Sequence, residues 1–234
     1  MHTPMEPPTQ SSTETPTTLG EQLLLLSLDD ESGTAKESAK VAPAISAAVL
    51  VELALAGRID VTEDQVTVLD TTPLGEPALD TALADIDGTD KPGRTKDWIT
   101  RLRTDATARA NRGLVEKGLV REEKKKVLGL FLVRRYPEAD GSAEAGVRRR
   151  LDEVVLRGAE PDERTASLVA LLHGAKLHRL AFPDADVREV RTAMESIANG
   201  QWSAKAVRDV VRAAEEALAV IVAVTAATTV ATTS

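Results

Sequence analysis

Few side chains in this 234-residue sequence have the type and spacing that catalysis needs. The histidines are His2, His173 and His178, and there is no cysteine. His173 and His178 stand five apart, not the four that stacks two imidazoles on one helical face for a metal. Ser167 sits before Leu168 in a helical pattern, without the strand–turn–helix context that exposes a nucleophile. Glycine-rich phosphate loops are missing. Asp29-Asp30 and Glu215-Glu216 read as solvated faces rather than acid–base pairs. The expectation is a protein that is not an enzyme, with no metal site and no cofactor.

Charge placed against apolar residues is more informative. Lys124, Lys125 and Lys126 are followed by Val127, Leu128, Leu130, Phe131 and Leu132. A projecting basic and apolar tip suits the headgroup boundary of an anionic membrane, where each lysine contributes about 1 kcal/mol. The competing reading makes the apolar strand core or a subunit contact and leaves the lysines in water. A second pattern involves Glu52, the one charge on the inner stripe of an otherwise apolar helix. It is either a rim carboxylate held by Arg58 or a half-buried acid holding a distant arginine, since a buried carboxylate without a partner is costly. On the helix that opens near Thr95, Trp98, Leu102, Ala106 and Gly113 define the inward arc. At about 100° per residue, Arg109 projects into that arc. The expectation is a buried or half-buried Glu52–Arg109 ion pair joining the two helices. The alternative puts Arg109 in an open cleft as an anion ligand.

These residues need elements to carry them. Val41, Ile45, Ala48, Val49 and Leu53 have helical spacing, and Leu50, Val51, Ala54 and Leu55 widen the apolar surface, so this helix is expected to be enclosed on several sides. Gly57 stops it, and Ile59 and Val61 then alternate as a strand. Val66 and Val68 return it as a hairpin. Before it, Thr18 and Glu21 form a capping box opening a leucine-rich helix. A short helix over 78–86 and a long one from Thr95 to Lys117 follow. Gly118 ends the latter and opens a second hairpin over 119–135, with its turn near Glu123 to Lys126. Helices are expected over 142–156, 161–173, 184–198 and 203–225. The Thr-, Pro- and Ser-rich residues 1–17 are expected to be disordered, and 226–234 to fray.

Composition narrows the partners. A formal charge of −8 and only five aromatic residues argue against nucleic acid. The absence of cysteine fits a reducing compartment. The N-terminus has no secretory pattern. The longest apolar run, Ala217 to Ala227, is too short for a bilayer span of about 20 residues.

Three segments carry a resemblance. Val51-Glu52-Leu53-Ala54-Leu55-Ala56-Gly57-Arg58-Ile59 resembles a signature of the Golgi phosphoprotein 3-like family. Leu19 to Leu28, with Gly33 after it, looks like that family's opening helix and glycine. Gly113-Leu114-Val115-Glu116-Lys117-Gly118-Leu119 looks like its helix-to-hairpin junction. The short, aromatic-poor chain is similar to bacterial members. The resemblance implies a peripheral adaptor that binds phosphatidylinositol 4-phosphate and self-associates through its hairpin. The family's headgroup pocket has a tryptophan and three arginines, which align here with Glu37, Ser46, Thr104 and Thr107. None of the four matches. Arg101 and Arg103 are the nearby cations that a small shift of register would recruit.

The reading is therefore a mainly α single domain over 18–225 with two small β-hairpins, one projecting. Its expected function is a peripheral membrane adaptor for anionic or phosphorylated (phosphoinositide-like) lipid headgroups. Arg101, Arg103, Lys124, Lys125, Lys126, Leu128, Leu130 and Phe131 are the candidate lipid contacts. The alternative is a soluble scaffold that self-associates through the 119–135 hairpin without lipid affinity. Partners are an anionic lipid, a membrane protein and a second copy, at the cytoplasmic, inner membrane surface.

Overall fold

A computed structural model describes residues 15–29, 32–127, 131–139, 141–200, 202 and 205–232, with side chains described except at 125–127, 131–133 and 225–232. The expected disorder of the N-terminal tail falls mostly on residues outside this set. Thr17, inside it, is half-buried, and its carbonyl accepts from Arg164.

Helix α1 (Leu19–Ser27) starts where the sequence places a cap. Thr18 accepts from the Glu21 amide, and the Glu21 carboxylate accepts from the Thr18 amide. All nine α1 residues are buried, Glu21 and Gln22 included. Helix α2 (Ser38–Leu55) packs against α1 and four later helices, which is why its apolar surface runs all round. It has the length and composition of a membrane span, but 72% of it is buried inside the body, as a core helix would be. Its start lies three residues ahead of the expected Val41, with Pro43 tolerated in its second turn.

The end of α2 follows from Gly57, whose φ of +68° no β-carbon favours. The Gly57 amide donates to the Ala54 carbonyl and the Arg58 amide to the Leu53 carbonyl, a Schellman closure. Strands β1 (Ile59–Thr62) and β2 (Gln65–Val68) pair antiparallel, with Ile59 opposite Val68. A third strand, β3 (Gly93–Arg94), pairs with β2, so the first expected hairpin is a three-stranded sheet. Helix α3 (Pro77–Asp87) lies between β2 and β3 in sequence, and α4 (Thr95–Glu116) follows β3 directly. The end of α4 repeats the α2 closure at Gly118, with Leu119 donating to the Leu114 carbonyl.

The second hairpin is built differently from its expectation. The lysines lie within strand β4 (Glu123–Val127), which pairs with β5 (Phe131–Arg135). They are not in the expected turn, because Lys124, Lys125 and Lys126 pair across the ladder with Arg134, Val133 and Leu132. A lysine-rich segment is well suited to an unpaired edge.

The remainder is helical: α5 (Ser142–Leu151), continued by a π-helical turn over Asp152–Leu156, then α6 (Glu163–Gly174), α7 (His178–Ala181), α8 (Val187–Ala198) and α9 (Lys205–Thr232). Asp162 and Asp186 cap α6 and α8, so these helices start later than Pro161 and Asp184 suggested. The short α7 was not legible. The backbone of α9 runs to Thr232, beyond the expected end at 225.

Where α6 meets α9, Glu215 packs against Gly174. Burial, helped by Glu216, pushes the Glu215 carboxyl up to about 7. The folded state therefore keeps this proton longer than the unfolded chain does. The cost is absent below the unfolded value near 4.5, grows as pH rises and is complete above about 7. Glu215→Gln is expected to stabilise the fold by on the order of 1–2 kcal/mol at alkaline pH, discounted for partial exposure, and negligibly at acid pH. Urea midpoints at the two pH values check this, and an equal gain at both would refute it.

Candidate functional site

Two features stand out: a charged seam that ties the central helices, and the β4–β5 hairpin that leaves them. The seam begins with Glu52, which is 7% exposed. One oxygen accepts from the Leu19 amide at 2.6 Å and from Arg164 Nη2 at 2.7 Å, and the other accepts from Arg164 Nη1 at 2.8 Å. This is a two-pronged arginine–carboxylate pair that also satisfies the first amide of α1. Arg164 Nη2 donates further to the Thr17 carbonyl at 2.6 Å.

The expected Glu52–Arg109 pair is therefore corrected. Glu52 is a buried acid holding a distant arginine, but the arginine is Arg164 on α6. The rim alternative fails as well, since Arg58 donates to Asp70 at 2.8 Å. Arg109 lies on the flank of α4 beside the buried arc of Trp98, Leu102, Ala106, Ala110 and Leu114. Its guanidinium approaches Asp105 at 4.0 Å. Glu52 and Arg109 line the same cleft of about 260 Å³, but Arg109 stays on the flank of α4 and the guanidinium paired with Glu52 is that of Arg164. Helix geometry along α4 did not show that α6 delivers a guanidinium from the other side.

The same cleft holds a second network. Lys117 Nζ donates to Glu21 at 2.8 Å and to Glu76 at 3.2 Å. Burial pulls this ammonium's pKa down, but the two carboxylates outweigh it and hold it above the ordinary value. Four acids (Glu21, Glu52, Glu76, Glu116) and three cations (Arg109, Arg112, Lys117) line the walls. With Glu21 and Glu76 held by Lys117 and Glu52 by Arg164, the cleft reads as a docking seam between helices.

His173 and His178 do meet, Nδ1 to Nε2 at 3.3 Å, with their rings edge to face. Burial lowers both pKa values, and Arg191 adds to the effect. No cluster of three metal-ligating side chains is present among the described residues.

The hairpin is the other feature. Between Leu119 and Pro137 the sequence has six basic residues and two acidic ones, in a chain whose net charge is −8. Strands β4 and β5 pair only with each other among the described residues, and no helix packs broadly on them. Lys124 is exposed and faces Arg134 across the ladder, a like-charge pair. Lys125 and Lys126 lie opposite Val133 and Leu132, and Phe131 opposite Val127. The side chains of Lys125, Lys126 and Phe131, and all of Leu128 and Leu130, lie outside the described residues. Arg134 is exposed beside Lys124 and pairs with Glu122 at 3.6 Å, while Arg135 is half-buried; both were legible in the sequence and missed.

Arg101 and Arg103 do not join this surface. Both are exposed on the first half of α4, and Arg101 rests 4.9 Å over the Trp98 ring. At 1.5 Å per residue, about 20 Å of helix separates them from the hairpin junction. The four positions aligned with a headgroup pocket offer no cation. Glu37 pairs with Lys40 at 2.6 Å, and the fully buried Ser46 donates to the Ala42 carbonyl. Thr104 is exposed and Thr107 half-buried.

Comparison with known proteins agrees with the segments quoted above. The sequence profile of the family described as Golgi phosphoprotein 3 (GPP34) matches residues 19–214. Vacuolar protein sorting-associated protein 74 of Eremothecium gossypii is 29% identical over 214 aligned positions, covering 74% of this chain and 64% of that protein. The chain thus matches less than two thirds of that relative's length.

Proposed function

This chain belongs to the Golgi phosphoprotein 3 (GPP34) family, and from that premise we propose that it is a peripheral adaptor, not an enzyme, seated on an anionic membrane surface through its β4–β5 hairpin. One observation carries the reading: a strongly basic, two-stranded projection stands on an otherwise acidic body. Such polarity orients the molecule toward a negative surface before contact. The apolar residues that follow the lysines in sequence then supply the part of the attachment that salt does not screen. The reading places the protein on the cytoplasmic, inner face of a membrane and gives it a membrane protein to hold there. Glu37, Ser46, Thr104 and Thr107 support a preference for negative charge in general over one phosphoinositide.

Flotation with phosphatidylcholine vesicles, with and without phosphatidylglycerol, tests this. Binding is expected only to the anionic vesicles and should weaken as salt screens exposed charge beyond about 8 Å. Replacing Lys124, Lys125 and Lys126 together with Glu is expected to weaken binding by at least about 100-fold, the loss of about 1 kcal/mol per lysine before the added repulsion. Binding indifferent to both changes refutes the electrostatic reading. A panel containing phosphatidylinositol 4-phosphate should show no preference beyond that due to charge.

The self-associating scaffold remains the second reading, favoured by the unshared edges of β4 and β5. Edges of this kind can add strands from another copy. A concentration-dependent mass in solution, with no vesicle binding, would select it.

A further inference from the structure

Helix α9 changes character along its outward face. The exposed positions 212, 216, 219, 220, 223 and 224 share one side of the helix. Arg212 and Glu216 form an ion pair there at 3.1 Å. One turn later the same face is Ala219, Val220, Ala223 and Val224, and the sequence has no charged residue after Glu216. Val220 is 46% exposed and Val224 61%, while Leu218 and Val222 on the opposite side stay packed in the core. Water does not favour this strip, and the fold does not need it, since the inward face already holds the helix.

Its position indicates what covers it. Glu215, just before the strip, rests on Gly174 at the end of α6. Arg179 and Leu180, just past that end, line one cavity with Leu28 and Lys36 of the loop that enters α2. The loop entering α2 carries Gly33, whose carbonyl accepts the Tyr136 amide at the hairpin base. These links place the apolar strip of α9 and the basic hairpin at the same end of the helical body, where α2 begins. A basic projection and an uncharged apolar helix face at one end of the body are the two signals whose combination gives stable but reversible membrane attachment.

We propose that the Ala219–Val224 face of α9 is a second membrane contact, entering the headgroup–acyl boundary of the bilayer that the hairpin meets. The inference rests on the anionic-membrane reading above and adds to it an apolar contact that salt does not screen. Charge draws the hairpin in, and α9 keeps the protein bound when that charge is screened.

The chain has no cysteine, so single labels are clean. Three full-length variants, Lys124→Cys, Arg212→Cys and Val224→Cys, would each carry an environment-sensitive fluorophore. They would be mixed with phosphatidylcholine–phosphatidylglycerol vesicles bearing nitroxide-labelled lipid. Labels at 124 and 224 are expected to be quenched, with a blue shift at 224, and the label at 212 to be unaffected. Quenching at 124 but not at 224 overturns the α9 contact and leaves the hairpin reading standing. Quenching at 224 but not at 124 does the reverse. Quenching at neither removes both. Self-quenching of the 224 label without vesicles, accompanied by a dimer mass, overturns the lipid assignment in favour of a second copy. Val220→Gln with Val224→Gln keeps both charge and core, and should reduce vesicle binding in high salt at least about tenfold. Unchanged binding would overturn the inference.

Discussion

Replacing Arg164 with alanine is expected to destabilise the fold by about 2–4 kcal/mol, measured by urea denaturation. Glu52 would be left in the core with only the Leu19 amide to hold its charge. A fully buried pair that loses one partner costs about 3–5 kcal/mol. The figure is reduced because the Arg164 side chain is 41% exposed. Glu52→Ala should cost a similar amount, since it orphans the α1 amide and leaves the Arg164 guanidinium with only the Thr17 carbonyl. Replacing both residues with leucine should cost clearly less than the two losses added, because no unpaired charge remains. An additive double variant would show that the two side chains act independently. Arg109→Ala serves as the contrast. Its 4.0 Å approach to the exposed Asp105 is expected to contribute no more than about 0.5 kcal/mol.

Gly33→Ala is expected to be the most damaging single-methyl change, on the order of 2–4 kcal/mol. Gly33 has φ +59°, and a β-carbon there would lie 2.5 Å from the Pro137 nitrogen and 2.8 Å from the Tyr136 carbonyl carbon. Those atoms are backbone at the base of the hairpin, so relieving the overlap must displace the hairpin or the α1–α2 loop. The Gly33 carbonyl also accepts the Tyr136 amide at 2.8 Å, so displacing the loop releases the hairpin base. Hydrogen exchange should show the Tyr136 amide losing protection, and vesicle binding should fall with it. Gly118→Ala isolates the cause. Gly118 has a similar φ of +70°, but a β-carbon there meets nothing within 4 Å. That variant should cost only the left-handed strain, about 1 kcal/mol. Equal losses at the two positions would show that the close approach to Pro137 contributes nothing.

The position of Gly33 explains in physical terms why a glycine there accompanies the leucine-rich opening helix. It is the point where the α1–α2 loop touches the hairpin. Gly57 and Gly118 do a local job, closing α2 and α4 before a strand. In each case the sequence displayed the residue, and the structure supplied the contact that makes it necessary.

What the sequence determined by itself is the local layer. The Thr18–Glu21 capping box, the enclosed α2 with its glycine stop, the span of α4 and the basic character of the 119–135 hairpin all follow from residues within a few positions of one another. Their physics is settled by backbone dihedrals, caps and periodicity, which need no distant partner. The inward placement of Glu52 was legible for the same reason. Its partner was not, because Arg164 is 112 positions away and reaches Glu52 only through the angle at which α6 docks. Helical periodicity reports which way a charge points and is silent about which of several guanidiniums will be waiting there. The third strand at Gly93–Arg94 and the strand placement of the three lysines were hidden likewise, since pairing is decided by what lies alongside. Only the tertiary structure brings the uncharged end of α9 to the same end of the body as the hairpin. That juxtaposition depends on the packing of α2, α6 and α9 together, which no single stretch of the chain encodes.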